Sequence, residues 1–138
     1  MLGTAHLAGA LDGLRLSLHV LAAAVWVGGQ VTLAGLVPAA RKVGPEAPRT
    51  LARAFARLQW PAYAVLLATG VWNVGAVGSD AHGAWQAVLG AKIAVVLLSG
   101  LAAGLHTRTR SRRALAVWGA VAGTSSVAAL VMGVFLAG

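Results

Sequence analysis

The chain alternates between long uncharged stretches and short basic ones. No residue is charged from Leu16 to Ala40, from Leu58 to Ser79, or from Ala114 to Gly138, and Lys92 alone interrupts the stretch from Ala81 to Thr107. A helix needs about 20 mainly apolar residues to cross roughly 30 Å of hydrocarbon. Each stretch reaches that length. The pattern predicts an all-α integral membrane protein with spans at about residues 14–40, 50–77, 84–107 and 114–137, forming one domain over 1–138. Short connections make neighbouring helices antiparallel, so the expected architecture is an up-down four-transmembrane-helix bundle. The first stretch does not read as a removable signal peptide: the only charge before Arg15 is Asp12, where a leader would be basic.

Punctuation along the chain refines this outline. Pro45 and Pro48 end the first connection, and the second helix is expected to start near Pro48, since proline suits a first turn. Pro61 lies inside that helix and is expected to kink it. Gly100-x-x-x-Gly104 and Gly119-x-x-x-Gly123 sit at matching depth in consecutive helices. Such pairs let backbones approach closely in lipid, so the third and fourth helices are expected to pack tightly through them.

Composition agrees. The 138 residues are 59% apolar and 10% charged, against about 25% charged in a soluble domain. That excludes an ordinary cytosolic enzyme, and the hydrophobicity excludes disorder. The absence of cysteine excludes a disulfide scaffold, a cysteine-held iron–sulfur cluster and a thiol nucleophile. No phosphate-cradling loop and no Ser/His/Asp order is recognisable, so no enzyme class is assigned.

The net charge of +8 would suit nucleic acid in a soluble protein, but its distribution says otherwise. Arg41, Lys42, Arg49, Arg53 and Arg57 lie between the first two spans, and Arg108, Arg110, Arg112 and Arg113 between the last two. Basic residues mark cytoplasmic loops. The expected protein is therefore a multi-pass protein of a bacterial-type inner membrane, with both termini outside the cytoplasm. Its partners are the bilayer and anionic lipids at the cytoplasmic face, not nucleic acid.

Polar groups inside the spans carry the candidate chemistry, because ionisable residues are costly in a membrane. His19 lies in the outer half of helix one, with Arg15 one turn further out and Trp26 two turns further in on the same face. Lys92 lies at a similar depth in helix three. Lys92, Ser99 and His106 share one face of that helix, but at 1.5 Å per residue Lys92 and His106 stand about 21 Å apart. His19 can therefore share a site with Lys92 and not with His106, which becomes a candidate for a separate second site. His6, Asp12, Asn73, Asp80, His82 and Met132 are further outer-side groups. Trp72 and Trp85 are read as interfacial tryptophans. Gln30 and Thr124-Ser125-Ser126 are expected to hydrogen-bond between helices or onto their own turns.

The run from Leu18-His19 through Trp26-Val27-Gly28-Gly29 resembles the first-helix signature of the CopD-like (copper-resistance protein D) membrane family. Pro38 with Arg41, the Thr69-Gly70-Val71-Trp72 turn, Gly90-Ala91-Lys92 and the closing His106 fit the same outline. The resemblance covers nearly the whole chain. It implies copper handling on the outer side, with His19 as principal ligand and His6, His82 or Met132 as helpers. More distantly the chain is similar to the four-helix bacterial membrane protoporphyrinogen oxidase, in which a first-helix histidine and a third-helix lysine mark the haem-linked site. His19 and Lys92 match those positions, although that enzyme's Tyr/Arg-rich first-helix ending and acidic fourth helix are absent.

Three readings follow: copper binding or transport, a haem-b-binding redox protein, and a cofactor-free assembly subunit. In the haem reading His19 is an axial ligand, Lys92 the opposite ligand or a propionate partner, and Arg15 a propionate clamp. Gly28 and Gly29 make room for the ring, and Trp26 joins the cofactor-binding set. A homo-oligomer or a redox or metal-delivery partner on the outer side is left open. The orientation is directly testable. A Gly44→Cys variant should be labelled by an impermeant thiol reagent only from the cytoplasmic side, and labelling only from outside would invert the assignment.

Overall fold

The computed structural model describes residues 9–77 and 82–137, and every regular element in them is helical. Four helices follow one another: α1 (Ala10–Val43), α2 (Ala47–Val77), α3 (Ala84–Arg108) and α4 (Arg112–Ala137). Each is long and apolar enough to cross a membrane. All four extend past the limits set by hydropathy. The reason is physical: charged residues such as Arg41, Lys42 and Arg112 end an apolar segment but are good helix formers. Gly83 precedes α3 with φ +65°, a left-handed conformation that favours glycine.

The contacts order the helices into two hairpins. His19 faces Thr69 and Gly29 faces Phe55, so residue numbers rise along α1 as they fall along α2. Trp85 meets Leu136 and His106 meets Leu115 in the same sense between α3 and α4. Three hydrogen bonds join the hairpins near mid-length. Trp26 Nε1 donates to Ser99 Oγ at 3.2 Å, Tyr63 Oη to the Val96 carbonyl at 3.1 Å, and Gln30 Nε2 to Ser126 Oγ at 3.0 Å. Ala10, Val77, Ala84 and Ala137 therefore share one end, here called the terminal half; the basic connections occupy the other.

At that junction α1 departs from α-helical pitch. Ala24–Gly28 form a single π turn, which widens the helix by one residue and turns Trp26 inward until it is 1% exposed. Gln30 also donates to the Trp26 carbonyl at 3.0 Å, giving that acceptor a partner within the altered turn. Trp60 and Tyr63 of α2 pack on the Trp26 ring, with centroids 5.8 and 4.3 Å away.

The rest of the core is small. Ala22, Ala102, Ala103, Ala122, Ser99 and Ser126 are buried, while Leu11, Val71, Leu101, Val134 and Phe135 point outward. This inversion of a soluble core suits helices whose outer faces lie in hydrocarbon. The buried serines and Thr124 return their hydroxyls to carbonyls of their own helices, and Gln30 bridges to Ser126, as the sequence predicts.

One expectation is corrected. Helices α3 and α4 do form the most extensive contact, but Gly100 and Gly104 do not serve it. A Cβ on Gly100 would overlap the Tyr63 phenol, and one on Gly104 would touch Trp60, both on α2. Gly119 accommodates the His106 ring and Gly123 faces open space. Gly100 apart, alanines and serines are the buried residues of both helices. Pro61 lies inside α2, which continues through it, as expected of its position.

Gly100→Ala should displace Tyr63 and cost about 1–3 kcal/mol in detergent-solubilised thermal unfolding. Gly123→Ala should be neutral or stabilising by about 0.5–1 kcal/mol, because alanine is the better helix former.

Candidate functional site

The terminal half concentrates polar side chains where the bundle offers them few partners. His19 leaves α1 toward α2, and its Nδ1 lies 2.8 Å from Thr69 Oγ1. The ring edge lies against Gly70, where a Cβ would stand in ordinary contact, 3.7 Å from His19 Cε1. Threonine can hold this position on a helix because its hydroxyl bonds back to the preceding turn, here the Val65 carbonyl at 2.7 Å.

One turn toward the terminal end, Arg15 shares the His19 face of α1. Its Nη2 pairs with Asp12 Oδ1 at 3.0 Å, with only 11% of the arginine side chain exposed. Its Nε and Nη1 are buried and, among the described residues, have no partner. The register that pairs His19 with Thr69 sets Arg15 level with Asn73 on α2. Asn73 Oδ1 is likewise buried without a described partner. An unsatisfied buried polar group costs about 1–3 kcal/mol, and more when charged.

Lys92 reaches this level from α3. Its backbone is about level with His19, and it lies close enough to interact electrostatically with that imidazole. The side chain climbs along α4 until Nζ lies 3.0 Å from where a Cβ on Gly133 would stand. That places the ammonium about one turn nearer the terminal end, at the level of Arg15 and Asn73. Two cations and an amide thus sit above one imidazole.

The remaining sequence candidates do not join this group. His106 is engaged elsewhere: Nδ1 donates to the Leu115 carbonyl at 2.8 Å, and the ring packs over Gly119. This bond helps close the α3–α4 hairpin, and it sets His106 apart from the terminal-half group. Gly29 is not free space either, because the Phe55 ring fills it, and Gly28 is exposed with nothing nearby. Trp26 belongs to the core. His82 is exposed just ahead of α3, Met132 is half-buried on α4, and Trp85 Nε1 donates to the Leu136 carbonyl at 3.4 Å. His6 and Asp80 lie outside the described residues. Among those described, no three His, Cys, Asp or Glu side chains gather as metal ligands.

Sequence reasoning placed His19, Lys92 and Arg15 together and listed Asn73 only as a nearby group. It did not single out Thr69 as the partner of His19. The signal available for Thr69 was a threonine followed by glycine in an otherwise aliphatic helix, which leaves room for a neighbouring ring. The best-formed clefts lie elsewhere. One of about 470 Å³ runs along Leu16, Ser17, Val20, Leu21 and Ala24, on the face of α1 opposite His19. Another of about 240 Å³ lies between Thr50, Arg53, Ala54 and Arg57.

No family model, curated protein or solved structure matches this chain.

His106→Ala should lower thermal stability by about 1 kcal/mol through loss of one hydrogen bond. It should leave ligand binding in the terminal half unchanged, and a loss of binding would return His106 to the site.

Proposed function

We propose that the chain is a multi-pass membrane protein, an antiparallel up-down four-helix bundle, that holds a haem-b-type cofactor in its terminal half. The observation that supports this reading is the cluster of buried, unsatisfied groups one turn beyond His19. Arg15 Nε and Nη1 and Asn73 Oδ1 are buried without a partner among the described residues, and Lys92 Nζ stands beside Gly133 at a similar level. An anionic, carboxylate-bearing group would satisfy the arginine donors and neutralise the cations. Charge-assisted hydrogen bonds from arginine to carboxylate are among the stronger ones. His19, with Thr69 steadying its Nδ1, is the axial-ligand candidate beneath them. The residues present thus fit the cofactor: an imidazole for the iron, and Arg15 and Lys92 for the propionates. When bound, the group supplies one-electron redox chemistry. The chain's own part is to hold, orient and neutralise it.

Copper handling, which the resemblance to CopD-like proteins implies, is the second reading. His19 is its principal ligand there as well. The two cations beside His19 oppose it, as does the scarcity of the soft ligands that copper(I) prefers. In either case the basic connections face the cytoplasm, where Arg53 and Arg57 line a cleft suited to anionic lipid headgroups.

A visible spectrum of the detergent-purified protein, taken with a metal analysis, tests this. The expected result is a Soret band that His19→Ala abolishes and His82→Ala preserves. Lys92→Met should weaken haem retention about ten-fold, and Lys92→Arg should largely restore it as a propionate partner. Bound copper without a Soret band would overturn the haem reading in favour of the second. Neither haem nor copper would leave a cofactor-free assembly subunit.

A further inference from the structure

We infer that Thr69 is a positioning residue that fixes the tautomer of His19, so that Nδ1 carries the proton and Nε2 keeps a free lone pair. The inference deepens the proposed function by naming which ring atom is the electron-pair donor, but its geometry does not depend on haem.

The argument follows one hydrogen. A threonine hydroxyl has a single proton to donate and two lone pairs to accept with. Thr69 Oγ1 lies 2.7 Å from the Val65 carbonyl oxygen and 3.2 Å from that of Leu66. Two oxygens at 2.7 Å attract only when a hydrogen lies between them; otherwise their lone pairs repel. The Thr69 proton is therefore committed to its own helix. Toward His19 the hydroxyl has only a lone pair to offer, so at 2.8 Å the proton must come from Nδ1. The Leu66 carbonyl is another acceptor on this side of the ring. A neutral imidazole protonated at Nδ1 is unprotonated at Nε2.

This assigns Thr69 a role that packing alone does not require. Valine would fill the same volume on the same helix without accepting a hydrogen bond. Partners of this kind set the orientation and tautomer of ligating histidines and are part of a binding site's construction.

The test is nitrogen NMR on protein labelled with ¹⁵N-histidine, prepared without added cofactor at a pH where His19 is neutral. The His19 signals are assigned by their loss in His19→Gln. In the wild type the protonated nitrogen should be Nδ1 and the pyridine-type nitrogen Nε2. Thr69→Ser should keep that pattern, and Thr69→Val should lose it and populate both tautomers. A pyridine-type Nδ1 in the wild type would overturn the inference, and so would an unchanged pattern in Thr69→Val. If Thr69→Val fails to fold, the wild-type and Thr69→Ser spectra still decide. A protein that shows the Nδ1-protonated pattern yet binds no haem would refute the proposed function and leave this inference standing.

Discussion

The fold depends on how two helical hairpins are joined at the level of Trp26. Between helices in hydrocarbon there is little hydrophobic drive, so association rests on close fit and on hydrogen bonds across the seam. Both occur here together. The π turn turns the Trp26 indole inward, Ser99 accepts its N–H, and Gln30 ties the altered turn to Ser126 on α4. The small side chains of Ala22, Ala102, Ala103 and Ala122 let the backbones come close enough for those bonds to form.

The two halves of the bundle differ because of that junction. From mid-length toward the basic connections, aromatic rings fill the interior: Trp26, Trp60 and Tyr63 pack on one another, and Phe55 occupies the space beside Gly29. Toward the terminal end no such stack of rings is seen among the described residues, and Trp85 bonds to the Leu136 carbonyl. Arg15, His19, Asn73 and Lys92 project there instead, and the protein keeps buried polar atoms without described partners. A sequence that can pack alanine and serine so tightly elsewhere has ready apolar alternatives at these positions. Such groups are costly within a bundle, which is what distinguishes this end physically.

Hydropathy and charge placement made the four helices legible without any structure, because the length of an uncharged run is a one-dimensional quantity. Helical periodicity went further: it set Arg15, His19 and Trp26 on one face of α1, and Lys92, Ser99 and His106 on one face of α3. It could not say what each face meets. Gly100 and Gly104 look like a partner surface for α4, yet they receive Tyr63 and Trp60 from α2. Nor could periodicity say that the Leu115 carbonyl, on the next helix, accepts from His106 Nδ1.

The number of helices and the depth of their polar residues were determined by the sequence alone, since both follow from composition read in order. The tertiary structure decided the pairings: Thr69 with His19, Asn73 level with Arg15, Lys92 raised over Gly133, and the π turn that rotates Trp26 inward. These depend on relative rotation and register between helices. Small changes in either exchange one set of neighbours for another while leaving every local preference along the chain satisfied.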